Sequence, residues 1–231
     1  MKNQIMLIEL KNICREYVDG SNSKNMPLKN VCLSIDKGEA VVFTGPSGIG
    51  KTTLLNIIGC TDQATKGVYM LQGKNINEYT EKQLALIRNK YFGYVMQNYG
   101  LITYRNVYDN VAVPLMFNKE VKYGEYKEKI EGALQSVGMA AYKKKFINEL
   151  SGGEKQRVAI ARAIVNSPDV ILADEPTGSL DTENKEIIMD LLFKLNESGK
   201  TIIMVTHDMD IAGRFPIHYK FDKEAQIVRV S

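Results

Sequence analysis

Cysteine is scarce and poorly placed for cross-linking: Cys14, Cys32 and Cys60 form an odd set of three, without the close spacing of a metal site. A disulfide framework is therefore not expected, and a reducing, cytoplasmic setting fits. Long hydrophobic runs are also missing. No segment reaches the ~18 consecutive apolar residues that a membrane-spanning helix needs, so any work on a membrane would require another chain to span it. The opening MKNQIMLIEL carries one early lysine, but Glu9 interrupts its apolar part and no small-residue cleavage site follows. It reads as a first strand. An excess of one charge sign is lacking as well: 30 basic against 27 acidic residues leave a formal charge of +3, too mild to indicate nucleic acid or an anionic membrane surface. Internal repeats and low-complexity tracts are absent too.

What is present suits a globular protein. The 231 residues, 44% hydrophobic and 25% charged, can bury a sizeable core and read as one large domain or a core with a lobe. Short runs rich in Val and Ile recur at Ala40 to Phe43, Val170 to Ala173 and Thr201 to Val205, each followed by glycine or polar residues and then a helical pattern. Apolar on both faces, they suit central parallel strands covered by helices, an α/β class. Ile187, Ile188, Leu191, Leu192 and Leu195 recur at helical spacing behind a Thr182 cap and read as a core stripe. Tyr79 to Lys145 has few β-branched runs and many Lys, Glu and Tyr residues, and reads as an inserted, mainly helical lobe. Asn22 to Pro27, just after Asp19-Gly20, reads as a loop, and Ile217 to Val230, with Asp222-Lys223 inside it, as a closing hairpin.

The strongest local signal is Gly45-Pro46-Ser47-Gly48-Ile49-Gly50-Lys51-Thr52, between the strand at Ala40 to Thr44 and the helical run Thr53 to Ile58. Its glycines let the backbone turn tightly, so that N–H groups and the positive end of a helix dipole can face phosphate oxygens. Lys51 supplies a point charge, and the Thr52 hydroxyl suits Mg²⁺. Such a loop needs a carboxylate near the metal, and the apolar run Val170 to Ala173 ends in Asp174 and Glu175: one for the Mg²⁺ shell, the other to polarise the attacking water. A kinase or GTPase would use both features equally. Leu150-Ser151-Gly152-Gly153-Glu154 chooses among them: Ser151 and Glu154 have the spacing of a capping box, and the glycine-lined helix start is either a second phosphate site or a helix cap alone.

Taken together, the P-loop, the LSGGE segment about 20 residues before the acidic strand end, and His207 after the next strand resemble an ATP-binding cassette ATPase over nearly the whole chain. The resemblance implies a P-loop NTPase core with a central, mostly parallel sheet, an N-terminal antiparallel β subdomain and an inserted helical lobe: residues 1–78 and 166–231 as the core, about 79–165 as the lobe. It implies ATP and Mg²⁺ as ligands and a homodimer closed by ATP, head to tail, in which Gly45 to Thr53 bind one nucleotide while Ser151, Gly152, Gly153 and Glu154 serve the partner's. Gln97, in Val95-Met-Gln-Asn, resembles the glutamine that senses metal and water. Asp181 resembles the aspartate that communicates across the dimer, and His207 the histidine at the γ-phosphate. Tyr17 matches the aromatic on which adenine stacks, and a core tyrosine is the open alternative. With Glu175 present, hydrolysis is the expected activity.

Within that family, Asn56-Ile-Ile-Gly-Cys-Thr-Asp62, Val107 to Leu115 and Ala173-Asp-Glu-Pro-Thr-Gly178 resemble the branch of macrolide exporters, lipoprotein-release ATPases and antimicrobial-peptide resistance transporters. This implies peripheral association with the cytoplasmic membrane face through a separate permease, contacted near Gln97 to Met116, where Tyr99, Tyr104 and Tyr108 lie. Peptide or drug export is one expectation; mechanical control of cell division or lipoprotein release, without transport through a pore, is the other. DNA-repair relatives would carry a long coiled coil and translation factors two motif sets, and neither is found.

Overall fold

The computed structural model describes residues 6–18, 24–222 and 226–231. In chain order the elements are β1 (Met6–Val18), β2 (Lys24–Asp36), β3 (Ala40–Thr44), α1 (Lys51–Ile58), β4 (Lys66–Leu71), β5 (Lys74–Asn75), α2 (Glu81–Tyr91), β6 (Phe92–Met96), α3 (Val107–Met116), α4 (Tyr126–Ser136), α5 (Gly152–Ile164), β7 (Val170–Asp174), α6 (Thr182–Glu197), β8 (Thr201–Val205), α7 (Met209–Ala212), β9 (Ile217–Phe221) and β10 (Ile227–Arg229). They form two compact units, Met1–Ala85 with Thr201–Ser231, and Leu86–Lys200.

The first unit holds an antiparallel sheet in the order β2-β1-β4-β5. It also holds the expected buried parallel strands: β3 pairs in parallel with β8 and with β9, and every residue of β3 and β8 is buried. Because β3 and β8 are covered on both faces, they show no period-two alternation in sequence. The apolar side of α1, Leu54, Leu55, Ile57 and Ile58, is buried to 2% exposure or less, and each such side chain contributes roughly 1.5–3 kcal/mol. The closing hairpin is present as β9 and β10, antiparallel, with Phe221 paired to Ile227; Lys223 lies outside the described residues.

In the second unit β6 and β7 run parallel, and α3, α4 and α6 pack on α5. The middle segment is mainly helical, carrying α2, α3 and α4, and it also holds β6, whose Phe92, Gly93 and Val95 are buried and which has Val95 as its one β-branched residue. Three sequence expectations need correction. The Asn22 to Pro27 loop fails where it is described, since β2 begins at Lys24, while Asp19, Gly20 and Asn22 lie outside the described residues. Asp181, not Thr182, caps α6: its side chain accepts from the Asn184 backbone N–H at 2.8 Å. The α6 stripe is core at Ile188 and Leu192, but Ile187 is exposed, and Leu191 and Leu195 line an open groove of about 290 Å³ with Ile160 and Ile164 of α5.

Candidate active site

In the first unit the phosphate loop leaves the carboxyl end of β3. Phe43 pairs with Val205, and the Thr206 N–H donates to the Phe43 carbonyl at 3.1 Å, so Gly45 and His207 follow the same ends of adjacent parallel strands. This is where ligands meet open α/β sheets. The glycines are required. Gly45, Gly48 and Gly50 have φ of 151°, 77° and 116°, and a Cβ on Gly50, which starts α1, would run into the Pro27 carbonyl of β2. Lys51 is buried, and its ammonium donates to the Gly45 and Pro46 carbonyls, each at 2.8 Å. The loop thus holds a cation against its own backbone, while Pro46, Ser47, Gly48 and Thr52 face outward, Ile49 and Thr53 are half-buried, and His207 is exposed.

Beneath the loop, the buried Thr44 hydroxyl lies 2.7 Å from Nε2 of His218, whose pKa is lowered by burial and by Lys220. Tyr17, near the end of β1, is tied to Asp62 by a 2.6 Å hydrogen bond. Sequence reasoning singled out neither His218 nor the Asp62 tether; a histidine within an alternating strand gives no motif, and 45 residues separate Tyr17 from Asp62.

In the second unit Met96 pairs with Asp174, so the next residues, Gln97 and Glu175, emerge side by side from parallel strands. Glu175 adopts φ 47°, a left-handed backbone that costs a non-glycine residue of order 1 kcal/mol or more and is typical of functional positions. The Gln97 amide packs on Gly178, where an added Cβ would lie 3.1 Å from it.

The LSGGE segment is the start of α5. Ser151 accepts from the Glu154 N–H at 3.3 Å, and the Glu154 carboxylate accepts from the Ser151 N–H at 2.8 Å, the reciprocal box expected. That backbone N–H, first among its causes, lowers the Glu154 pKa. A Cβ on Gly153 would collide with the Asn184 side chain, which Asp181 holds by hydrogen bonds to both carboxylate oxygens. Tyr99 joins the same neighbourhood: its hydroxyl lies 3.2 Å from the Ser179 hydroxyl and 3.1 Å from where a Cβ on Gly152 would stand. Arg162, later on α5, donates to the Tyr99 carbonyl at 2.8 Å and to the Gly100 carbonyl. Gln97's loop, the LSGGE helix and the Asp181 turn are therefore linked within one unit, by residues that no short motif contains.

Comparison with known proteins gives this geometry its family. A model of the ABC transporter family matches residues 28–178. The chain belongs to that family. This ABC transporter ATPase domain is 47% identical over 206 residues to the uncharacterized ABC transporter ATP-binding protein YknY of Bacillus subtilis, covering 89% of each chain. It is 43% identical to the macrolide export ATP-binding/permease protein MacB of Mannheimia succiniciproducens, covering 89% of this chain but 32% of that one, so it spans about a third of the exporter's length. The solved dimeric post-hydrolysis state of the ATP-binding cassette MJ0796, bound to ADP and Pi, matches with a TM-score of 0.88 and 38% identity over 97% of this chain and 99% of that one; MJ0796 is from Methanocaldococcus jannaschii. The ABC ATPase fold is that expected: an antiparallel N-terminal sheet and a mostly parallel one. Among the described residues, no helix is long and apolar enough to cross a membrane.

Proposed function

We propose that this ABC ATPase is the motor of an exporter of peptides or drugs, working as a homodimer closed by ATP at the cytoplasmic face of a membrane and driving a separate permease. The observation that carries the motor reading is the strand-end placement of the candidate groups within each unit: the phosphate loop with His207 follows β3 and β8, and Gln97 with Glu175 follows β6 and β7. The similarity to MacB, named as a macrolide exporter, supports the cargo class.

Gly45 to Thr53 would cradle the triphosphate, with Lys51 leaving its two carbonyls for the β/γ-phosphates. Magnesium fits the donors present, since Thr52, Gln97 and Asp174 offer only oxygen ligands of the hard kind it prefers. When bound, it would neutralise charge on the β- and γ-phosphates. Glu175 is the general base: its carboxylate takes a proton from the attacking water while Gln97 and His207 orient that water. Ser151, Gly152, Gly153 and Glu154 offer the start of α5 to the partner's γ-phosphate, and Asp181 reports across the interface through Asn184. Closing follows from these charge-assisted contacts, and loss of the γ-phosphate removes them.

We place nucleotide chemistry in 1–78 with 166–231 and the coupling lobe in about 79–165. Permease contact is assigned to the stretch from Gln97 to Met116, supported by Tyr104 and Met116, exposed at 78% and 69%. Tyr99 is engaged with Ser179 and Tyr108 is half-buried, so Tyr104 is the tyrosine free to take part. The test is co-purification of tagged Glu175→Gln protein from solubilised membranes with ATP and Mg²⁺. Recovery of a multispanning permease with a large outer domain is expected; recovery of soluble protein, DNA or ribosomes alone would overturn the membrane assignment.

A further inference from the structure

The aromatic assigned to the base of ATP is built into a three-residue unit. The Tyr17 hydroxyl donates to Asp62 Oδ2 at 2.6 Å, and Arg15 Nε donates to the same oxygen at 3.0 Å, while Arg15 Nη2 reaches Asp62 Oδ1 at 2.8 Å. The Arg15 guanidinium carbon also sits 4.4 Å from the centre of the Tyr17 ring. One ring face is thus covered by a cation and the hydroxyl is tethered, yet Tyr17 remains 39% exposed, so the described residues do not enclose the ring. The support is itself fixed: the Thr65 N–H donates to the Cys14 carbonyl at 2.8 Å, and the Glu16 N–H to the Thr65 hydroxyl at 3.0 Å, sewing the segment after α1 onto β1.

The unit stands beside the phosphate loop. Arg15 pairs with Leu28 and Tyr17 with Asn25, and between those partners lies Pro27, whose carbonyl abuts Gly50 at the head of α1. We infer that Arg15 and Asp62 are positioning residues for ATP: they hold the Tyr17 ring in one orientation, so that the base of a nucleotide seated on the P-loop stacks on a preformed platform. This deepens the Proposed function, on whose assignment of Tyr17 to the base it rests. Ordering a ring before binding removes an entropic cost of complex formation. Because the hydroxyl is committed to Asp62, the platform offers its π face and no donor to the base edge, so it supplies affinity without choosing between purines.

The test compares ATP with inorganic tripolyphosphate, which fills the phosphate loop and carries no base, by calorimetric titration of the full chain in EDTA. Stacking of a base on an aromatic contributes ~1–3 kcal/mol, so Tyr17→Leu is expected to raise the ATP dissociation constant about tenfold. Arg15→Met, Asp62→Asn and Tyr17→Phe keep a ring or its neighbours but loosen its orientation, and are expected to raise it about threefold, a part of the full stacking contribution. All four should bind tripolyphosphate as the unaltered protein does, and the ATP/GTP affinity ratio should not move. Unchanged ATP binding by Tyr17→Leu would remove the assignment of Tyr17 to the base. If Tyr17→Leu weakens ATP binding while Arg15→Met and Asp62→Asn bind ATP normally, that assignment stands and the positioning role falls. An equal loss for tripolyphosphate would mean that the three residues act through the fold, which also overturns the proposal.

Discussion

The Tyr99 hydroxyl lies 3.2 Å from that of Ser179, joining the loop that follows Gln97 to the turn that leads into Asp181. Arg162 holds the same loop by its backbone, and burial lowers the pKa of that guanidinium. Tyr99→Phe keeps the ring and removes one hydrogen bond between partly solvated groups, which costs about 0.5–1.5 kcal/mol. Turnover is expected to fall several-fold with the KM for ATP unchanged, because the P-loop is untouched. Denaturant unfolding and steady-state kinetics check both.

Gly153 and Asn184 are packed so closely that the sign of one substitution depends on the other. A Cβ at Gly153 meets a side chain pinned to Asp181, so Gly153→Ala is expected to destabilise by about 1–3 kcal/mol, as overpacking does. In an Asn184→Ala background most of the obstruction is gone, and alanine exceeds glycine in helix propensity by ~1 kcal/mol, so the same change should be neutral or favourable. A double-mutant cycle by thermal unfolding reads the reversal directly.

The Thr44–His218 pair gives a pH dependence. Burial lowers the pKa of His218 in the folded state, so the unfolded chain binds the extra proton first as pH falls through the ordinary histidine value of ~6.5. Stability should therefore decline as pH drops below that value, until the folded pKa is reached. In His218→Gln this part of the pH–stability curve is expected to flatten, measured as the urea midpoint between pH 5 and 8.

How much of this was legible in the sequence follows from the range of each interaction. Glycines at fixed offsets, Lys51 and the Ser151–Glu154 box are local devices, and a sequence window contains all of their partners. β3, β7 and β8 were legible because strands buried on both faces leave unbroken apolar runs. β6 was missed because Phe92-Gly-Tyr-Val-Met, though as long as β3, β7 and β8, has one β-branched residue where each of those has at least two. The α6 cap was displaced by one residue, since Asp181 and Thr182 are both good caps and only the Asn184 N–H decides between them. Arg15, Asp62, Arg162 and Ser179 were invisible as supports because their partners are far away in sequence or are backbone carbonyls, which every residue has.

Lys51→Ala separates nucleotide affinity from folding. The ammonium's present acceptors are two carbonyls of its own loop, so its removal should lower the melting temperature by a few degrees and leave the protein folded. Hydrogen bonds to charged groups contribute ~1.5–3 kcal/mol, so ATP binding is expected to weaken about 10- to 150-fold. Calorimetry beside a thermal melt tests both halves.

The most direct test of a two-copy ATPase using Glu175 as its base is light scattering of Glu175→Gln protein with ATP or ADP, beside a phosphate-release assay. A dimer's mass with ATP, a monomer's mass with ADP and no phosphate release are expected. Steady turnover by Glu175→Gln would contradict the assigned base, and a monomer at saturating ATP would contradict the shared site.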